Sequence, residues 1–333
     1  MVEPAVTIAI PTRNRAYYLP TAIDSALAQT CTNTEILILD DASTDGTAEV
    51  VACYRDPRIR YIRHDCNIGM AANWNYGYQH GRGRYVAVLH DDDVLAPTFL
   101  ERALAEFERA PDAALVFAPV DIIDEHGACT DSAPAELLEP GRLDPPPTEL
   151  EQLVRTTWIG WPAILVRREC MLEVGGFCED FAYHKDWAVW LQLGARWPVR
   201  WVPQVLGSFR VHGGQFSEQF RRGATSIAQD RYAMLTATIP TLPLPPEQRA
   251  DLLRRALRAF AETQLVLAWD LAAAGHRHHA RQEARFALRI DRSVILRSPA
   301  LVAGAFLASW LPPTLIRQLN RARTRLRPLL RRA

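Results

Sequence analysis

The chain has 333 residues, 48% hydrophobic and 23% charged, which excludes disorder and leaves room for one large or two modest domains with a full core. Basic and acidic side chains balance at 38 each, yet from Arg292 onward there are nine arginines and no lysine or acidic residue. The positive charge therefore lies on a tail and not on the folded body, which argues against a nucleic-acid partner.

In chain order, Val6–Ile10 reads as a strand and Tyr17–Gln29 as a helix with Leu19, Ile23, Ala26 and Leu27 on one face. Glu35–Leu39 is the next strand, followed by a helix over about Thr47–Tyr54, a strand at Ile59–Ile62 and a helix at Asn73–His80. Tyr85–Leu89 is a strand, Pro97–Arg109 a helix opened by its proline, and Ala114–Phe117 a further strand. Continuous apolar strands alternating with helices predict an α/β fold with a mostly parallel central sheet covered on both faces. Pro140–Pro147 is a proline-rich connector; beyond it come strands at Ala163–Val166 and Val205–Val211 with a helix at Asp186–Leu193 between them. From about Thr225 the pattern is helical, including a hairpin over Ala268–Ile290 that turns at Gly275-His276. The expected division is 1–222 (a donor half over about 1–120, an acceptor half over about 150–222) and a helical C-terminal region, 223–333, ending in the basic tail.

The six cysteines show no CxxC spacing and no paired framework, so a reducing compartment is expected. The N-terminus enters a strand without a signal-peptide pattern, and no apolar run reaches the length of a membrane span. The expected location is cytoplasmic. The arginines between Arg317 and Arg332 follow the apolar stretch Ala300–Leu311, a pairing suited to peripheral attachment at the anionic inner face of a cell membrane.

Ligands of doubly wound sheets lie beyond the carboxyl ends of the strands. That is where the polar clusters fall: Pro11-Thr12-Arg13-Asn14, Asp40-Asp41 and Asp91-Asp92-Asp93. Three adjacent carboxylates after an apolar strand repel one another and resist burial, and a divalent cation offsets both costs. Oxygen ligands suit Mg²⁺ or Mn²⁺.

Five segments in order, Val6–Asn14 (VTIAIPTRN), Glu35–Thr47 (EILILDDASTDGT), Asn67–Asn75 (NIGMAANWN), Gly83–Asp93 (GRYVAVLHDDD) and Gly175–Phe177 (GGF), resemble the family 2 glycosyltransferases. The resemblance spans roughly Val6 to Ser217 and implies a GT-A fold, with metal-assisted, inverting transfer of a sugar from a nucleotide diphosphate to an acceptor hydroxyl. It implies that Pro11, Thr12, Arg13 and Asn14 border the nucleotide, that Asp41 bonds the base, and that Asn67, Gly69 and Asn75 lie beside the donor. Asp91, Asp92 and Asp93 match the DxD motif, with Asp91 and Asp92 toward the donor, Asp93 and Asp91 toward the metal, and His212 as a further metal-facing group. Two departures stand out: Ala42 replaces a common glycine, and His90 precedes the aspartates, which leaves open which carboxylate touches the cation.

Asp186, in Tyr183-His184-Lys185-Asp186-Trp187, stands where the family has its general base; the alternative is a helix cap. Trp158 and Trp161 are candidates for stacking on an acceptor sugar. The acceptor implied is a glycan or lipid-linked glycan in cell-surface polysaccharide synthesis. A sugar-nucleotide nucleotidyltransferase would place a glycine-rich basic loop where Pro11–Asn14 stands, and a non-catalytic sugar-binding protein would not need Asp41, Asp91, Asp93 and Asp186 together.

Overall fold

The computed structural model describes residues 3–133, 148–155, 159–215, 224–308, 310, 311 and 316. Strands β1 (Val6–Thr12), β2 (Thr34–Asp40), β3 (Ile59–Arg63) and β4 (Tyr85–Val88) pair in parallel in the order β4-β1-β2-β3. Their Val, Ile and Leu content follows from burial on both faces: every residue of β1, β2 and β4 is buried. The chain continues with β5 (Val94–Leu95), β6 (Leu115–Phe117), β7 (Val120–Ile123), β8 (Cys129–Asp131), β9 (Ile164–Arg167), β10 (Val199–Trp201) and β11 (Gly207–Arg210). Antiparallel β9 lies between β4 and β6, and β10 runs parallel to β6, which completes a seven-stranded sheet. A second sheet has the order β5-β11-β7-β8.

The sheet is sandwiched by helices α1 (Leu19–Leu27), α2 (Thr47–Ala52), α3 (Met70–His80) and α4 (Phe99–Arg109); α5 (Thr148–Leu153), α6 (Arg168–Glu173) and α7 (Lys185–Gly194) follow. Val6, Ile8, Ile10, Ile36 and Ile38 pack with Ile23 of α1 and Phe99, Leu100 and Phe107 of α4. Each such buried side chain contributes roughly 1.5–3 kcal/mol of transfer free energy. On the opposite face α3 comes so close that a Cβ at Gly77 would lie 2.8 Å from that of Ala9. Near the amino end of the sheet Glu35 is buried but fully served. It accepts hydrogen bonds from Thr7 Oγ1 (2.8 Å), the Arg82 N–H (2.9 Å) and Arg60 Nε (2.9 Å). This is how a buried carboxylate looks when its job is structural.

Residues 1–219 with 241–244 form one compact unit, and 220–240 with 245–333 form another. The second is helical: Ala224–Thr238, Pro246–Ala273, Arg277–Ile290, Val294–Arg297 and Pro299–Ala308. Pro246–Ala273 and Arg277–Ile290 are the two arms of the hairpin, turned at Gly275 (φ +95°) and tied by a buried Gln264 Nε2 to Glu283 Oε2 bond of 2.6 Å. The predicted connector Pro140–Pro147 lies outside the described residues.

Candidate active site

The carboxyl ends of β1, β2 and β4 converge as the sequence predicted. Pro11 and Thr12 are buried; Arg13 and Asn14 are exposed just beyond. Asn14 adopts φ +54°, and its Oδ1 accepts the Thr44 N–H at 2.8 Å while its own N–H donates to Ser43 Oγ at 3.0 Å. The facing turn is equally bent, with Ala42 at φ +56°. A side chain in this left-handed region costs about 1–2 kcal/mol, which explains why glycine suits the position.

Buried Asp41 accepts the backbone N–H groups of Ile68 (2.6 Å) and Gly69 (3.3 Å), and Asn67 Oδ1 accepts the Gly69 N–H at 3.1 Å. The structure thus brings Asp41, Asn67 and Gly69 together, with Asp41 anchoring the loop that opens α3. Gly69 needs its freedom there, at φ +91°. Asn75 has a fastening role: its amide donates to the Phe177 carbonyl (2.7 Å) and accepts the Phe177 N–H (2.8 Å). A Cβ at Gly176 would collide with Asn75 Oδ1, so the Gly175–Phe177 segment is read by α3 directly.

The turn after β4 carries the strongest electrostatic tension. Asp91, Asp92 and Asp93 are all buried. Burial, then Asp92, push the Asp91 carboxyl well above the ordinary carboxylate range, against the pull of Thr12, Arg15 and His90. Burial raises Asp93 in the same way, opposed by His90. Asp93 Oδ1 accepts the Arg210 N–H at 2.9 Å, but its buried Oδ2 receives no hydrogen bond; His90 Nδ1 stands 3.5 Å away. His90 Nε2 is likewise buried without a partner. Burial opposes charge on His90, and Asp93, Asp92 and Asp91 outweigh it to raise its pKa.

Among the described residues, His90, Asp92 and Asp93 place one ligand atom each within 4.8 Å of one another. Two orphaned atoms and a set of one imidazole nitrogen with carboxylate oxygens fit a divalent cation such as Mn²⁺. The sequence had named Asp91 and His212 toward the metal; neither belongs to this group. His212 contacts Asp92 of that group. Its Nδ1 accepts the Gly214 N–H (3.2 Å), and its Nε2 lies 3.0 Å from Asp92 Oδ2.

Two supporting residues, Arg15 and Tyr18, escaped the sequence reading of the site, and a third, Arg210, was expected to face the metal or a phosphate and braces the acidic turn through the main chain of that turn. Arg15 Nη1 lies 3.1 Å from His212 Nε2, and Arg15 Nη2 donates to the Gly214 carbonyl at 2.7 Å. Tyr18 lies against the His212 ring, centroids 4.5 Å apart. Buried Arg210 donates Nε to the Asp92 carbonyl (2.7 Å) and Nη1 to that of Asp124 (3.0 Å), bracing the acidic turn. The available signal was proximity in sequence, since Arg15 follows Asn14 directly and Tyr18 comes three residues later.

Asp186 lies in the first turn of α7, where Oδ1 accepts the Trp187 N–H at 2.7 Å and Oδ2 accepts Trp161 Nε1 at 3.3 Å. Burial raises its pKa, opposed by these two donors, His184 and His90. Trp161 is 9% exposed and packs against His90 (4.8 Å), Trp74 (5.4 Å) and Trp190 (5.8 Å). Its ring is therefore part of an aromatic cluster, not an open stacking face, and its N–H orients Asp186. Trp158 lies outside the described residues.

A mostly parallel α/β sheet with an acidic turn after its fourth strand, a second small sheet and a separate buried carboxylate behind an aromatic wall is an enzyme-like architecture of the GT-A type. The glycosyl transferase family 2 model matches residues 7–158. An uncharacterized glycosyltransferase of Rickettsia felis is 31% identical over 219 residues, 65% of this chain and 36% of that one. The succinoglycan biosynthesis protein ExoO of Rhizobium meliloti is 41% identical over 121 residues, 36% of this chain and 34% of that one. The chain belongs to glycosyl transferase family 2. It spans about a third of the length of the first three curated relatives it matches.

Among solved structures, S. aureus TarS 1-349 in complex with UDP-GlcNAc superposes with a TM-score of 0.64 at 14% identity, covering 95% of this chain and 92% of that one. The mannosyltransferase PcManGT of Pyrobaculum calidifontis, in complex with GDP-Man and Mn²⁺, gives 0.57 at 20% identity, covering 93% and 86%. Both share the fold.

Proposed function

We propose that this chain is an inverting, divalent-metal-dependent glycosyltransferase that moves a sugar from a nucleotide diphosphate to a hydroxyl of a glycan or lipid-linked acceptor in cell-surface polysaccharide synthesis. The observation that carries this reading is the pairing of two separate acidic centres. The group His90, Asp92 and Asp93, with unsatisfied atoms on His90 and Asp93, is joined to Asp186 through the contacts His90–Trp161 and Trp161–Asp186. Inversion needs that division: one centre for the leaving group and one for the incoming hydroxyl.

Pro11–Asn14, Asp41 and the Asn67–Gly69 loop frame the nucleoside, and the 91–93 turn faces the diphosphate. His90, Asp92 and Asp93 would hold Mg²⁺ or Mn²⁺, which when bound neutralises charge on the departing diphosphate. Asp186 takes the acceptor proton as the acceptor oxygen bonds to the anomeric carbon and the electron pair of the breaking bond leaves with the nucleoside diphosphate. The Trp161 and Trp187 N–H groups aim the carboxylate. His212 and Arg210 hold the Asp92 side chain and main chain in place.

The relatives support this reading: one is a succinoglycan biosynthesis protein, and structural neighbours are in complex with UDP-GlcNAc or with GDP-Man and Mn²⁺. Calorimetry of UDP-, GDP- and dTDP-sugars with and without Mn²⁺ tests it. At least one donor is expected to bind more tightly with the metal; no metal-dependent binding to any of them would sink the proposal.

The same reading includes contact with an anionic membrane surface. Among the described residues no helix is long and apolar enough to cross a membrane. Ile295 and Leu296, which lie between exposed Arg292 and Arg297 in sequence, are nonetheless exposed, as are Leu307 and Trp310, and the arginines from Arg317 onward follow in sequence. Co-sedimentation with phosphatidylglycerol vesicles, but not with phosphatidylcholine vesicles, is the expected result. Equal recovery with both kinds would remove the membrane from the scheme.

A further inference from the structure

A cleft of about 560 Å³ opens between the start of α1 and the four-stranded sheet, away from Asp186. Its walls include Tyr17, Tyr18, Thr21, Glu125, His126 and Ser208. We infer that it binds an uncharged oligosaccharide. The proposed transfer reaction does not use this cleft, yet its chemistry is built for a ligand.

Tyr17 is 79% exposed, an unusual state for a ring with no solvent-side partner among the described residues, and it is steadied by edge-on packing against Tyr18 at 5.0 Å. Tyr18 is itself fixed between the Arg210 guanidinium (5.5 Å) and the His212 ring (4.5 Å). The opposite wall is a rigid turn: the Asp124 carboxylate accepts the N–H groups of His126 and Ala128, both at 2.9 Å. That turn presents Glu125 and His126 to solvent. An aromatic face and a carboxylate held apart by fixed backbone suit a pyranose, whose C–H face packs on a ring while neighbouring hydroxyls donate to a carboxylate.

The same walls disfavour an anion. Arg210 already donates to the carbonyls of Asp92, Asp124 and Glu125, and the Glu125 carboxylate repels phosphate. The volume falls within the range of small-ligand sites and accommodates a short glycan segment. Because Tyr18 backs onto His212, which bonds Asp92, a glycan here lies one aromatic layer from the acidic turn. Binding rests on the cleft alone; identifying the glycan with the growing acceptor chain rests on the transferase reading.

The test is saturation-transfer NMR on the full chain, without donor or metal, using maltohexaose, cellohexaose and chitohexaose one at a time. At least one is expected to bind with a Kd of about 1 mM, and Tyr17→Ala and Glu125→Gln are each expected to weaken it at least about fivefold. Tyr17 is exposed, so its loss should leave the circular dichroism spectrum unchanged. The inference is overturned if none of the three binds at about 10 mM, or if both variants bind as the parent does. It is also overturned if UDP, and no glycan, is the probe whose binding Tyr17→Ala removes. Glycan binding with failed donor calorimetry would leave this site standing and remove the transferase reading.

Discussion

Asp186→Asn is expected to keep donor affinity within about twofold while transfer falls about 10³-fold, within the span of 10²–10⁴ that a positioned general base supplies. The substitution keeps the volume and one carbonyl oxygen, so one of the Trp187 and Trp161 N–H donors retains its acceptor. What it removes is the proton acceptor. The pH profile gives an independent readout. Burial raises the Asp186 pKa above its ordinary 3.8, so the carboxyl stays protonated, and inactive as a base, to a higher pH than an exposed aspartate. The acid limb of kcat/KM should therefore lie above the usual carboxylate range, with activity rising as pH rises through it. Trp161→Phe keeps the aromatic packing but removes a hydrogen bond that favours the ionised form, so it should move that limb further up. Unchanged transfer in Asp186→Asn would assign the base elsewhere and leave Asp186 as a first-turn carboxylate stabilised by the α7 dipole.

The parallel core was legible because both faces of it are covered. Strands such as Val6–Thr12 and Thr34–Asp40 are apolar along their length, and their carboxyl ends announce themselves by an abrupt change to Asp, Asn and Thr. The second sheet was not legible. Only Val205–Val211 was expected of it, and its other strands span two to four residues, too short for a period to register. Helix α3 begins at Met70, three residues before the predicted start, because its first turn is organised from outside the helix by Asp41 and Glu179.

The site divided along the same line. Asp41, the 91–93 turn and Asp186 could be placed at strand and helix ends from local sequence, whereas their partners lie far along the chain. Arg15 meets His212 across 197 positions and His212 meets Asp92 across 120, distances over which spacing carries no information. Trp161 shows the limit well. Its type suggested a sugar platform, but burial among Trp74, His90 and Trp190 turns its face inward and leaves its N–H to bond Asp186.

Asp93→Asn separates a metal site from a merely crowded turn. Glu35, at the amino end of the same sheet, has donors on both carboxylate oxygens; Asp93 has a donor on one only. The raised pKa of Asp93 fixes the sign of its effect on stability. A carboxyl whose folded pKa lies above its unfolded value stabilises the fold fully below the unfolded value, and that contribution is lost as pH rises through the folded one. The metal-free protein should therefore lose Tm as pH rises from about 4 toward neutrality, and Asp93→Asn should flatten that decline. Added Mn²⁺ should restore the parent at neutral pH: a concentration a hundredfold above Kd adds about 2.7 kcal/mol, roughly 5–10 °C for a unit of this size. At a pH where the carboxyls are protonated the same addition should do little, since the ligands must first ionise. In Asp93→Asn the Mn²⁺ shift should fall below about 1 °C and transfer should drop at least about 10²-fold, while the Arg210 N–H keeps its acceptor at Oδ1. Persistence of the full Mn²⁺ shift in both Asp93→Asn and Asp92→Asn would place the cation elsewhere and reduce the unsatisfied oxygen to strain held by the surrounding packing.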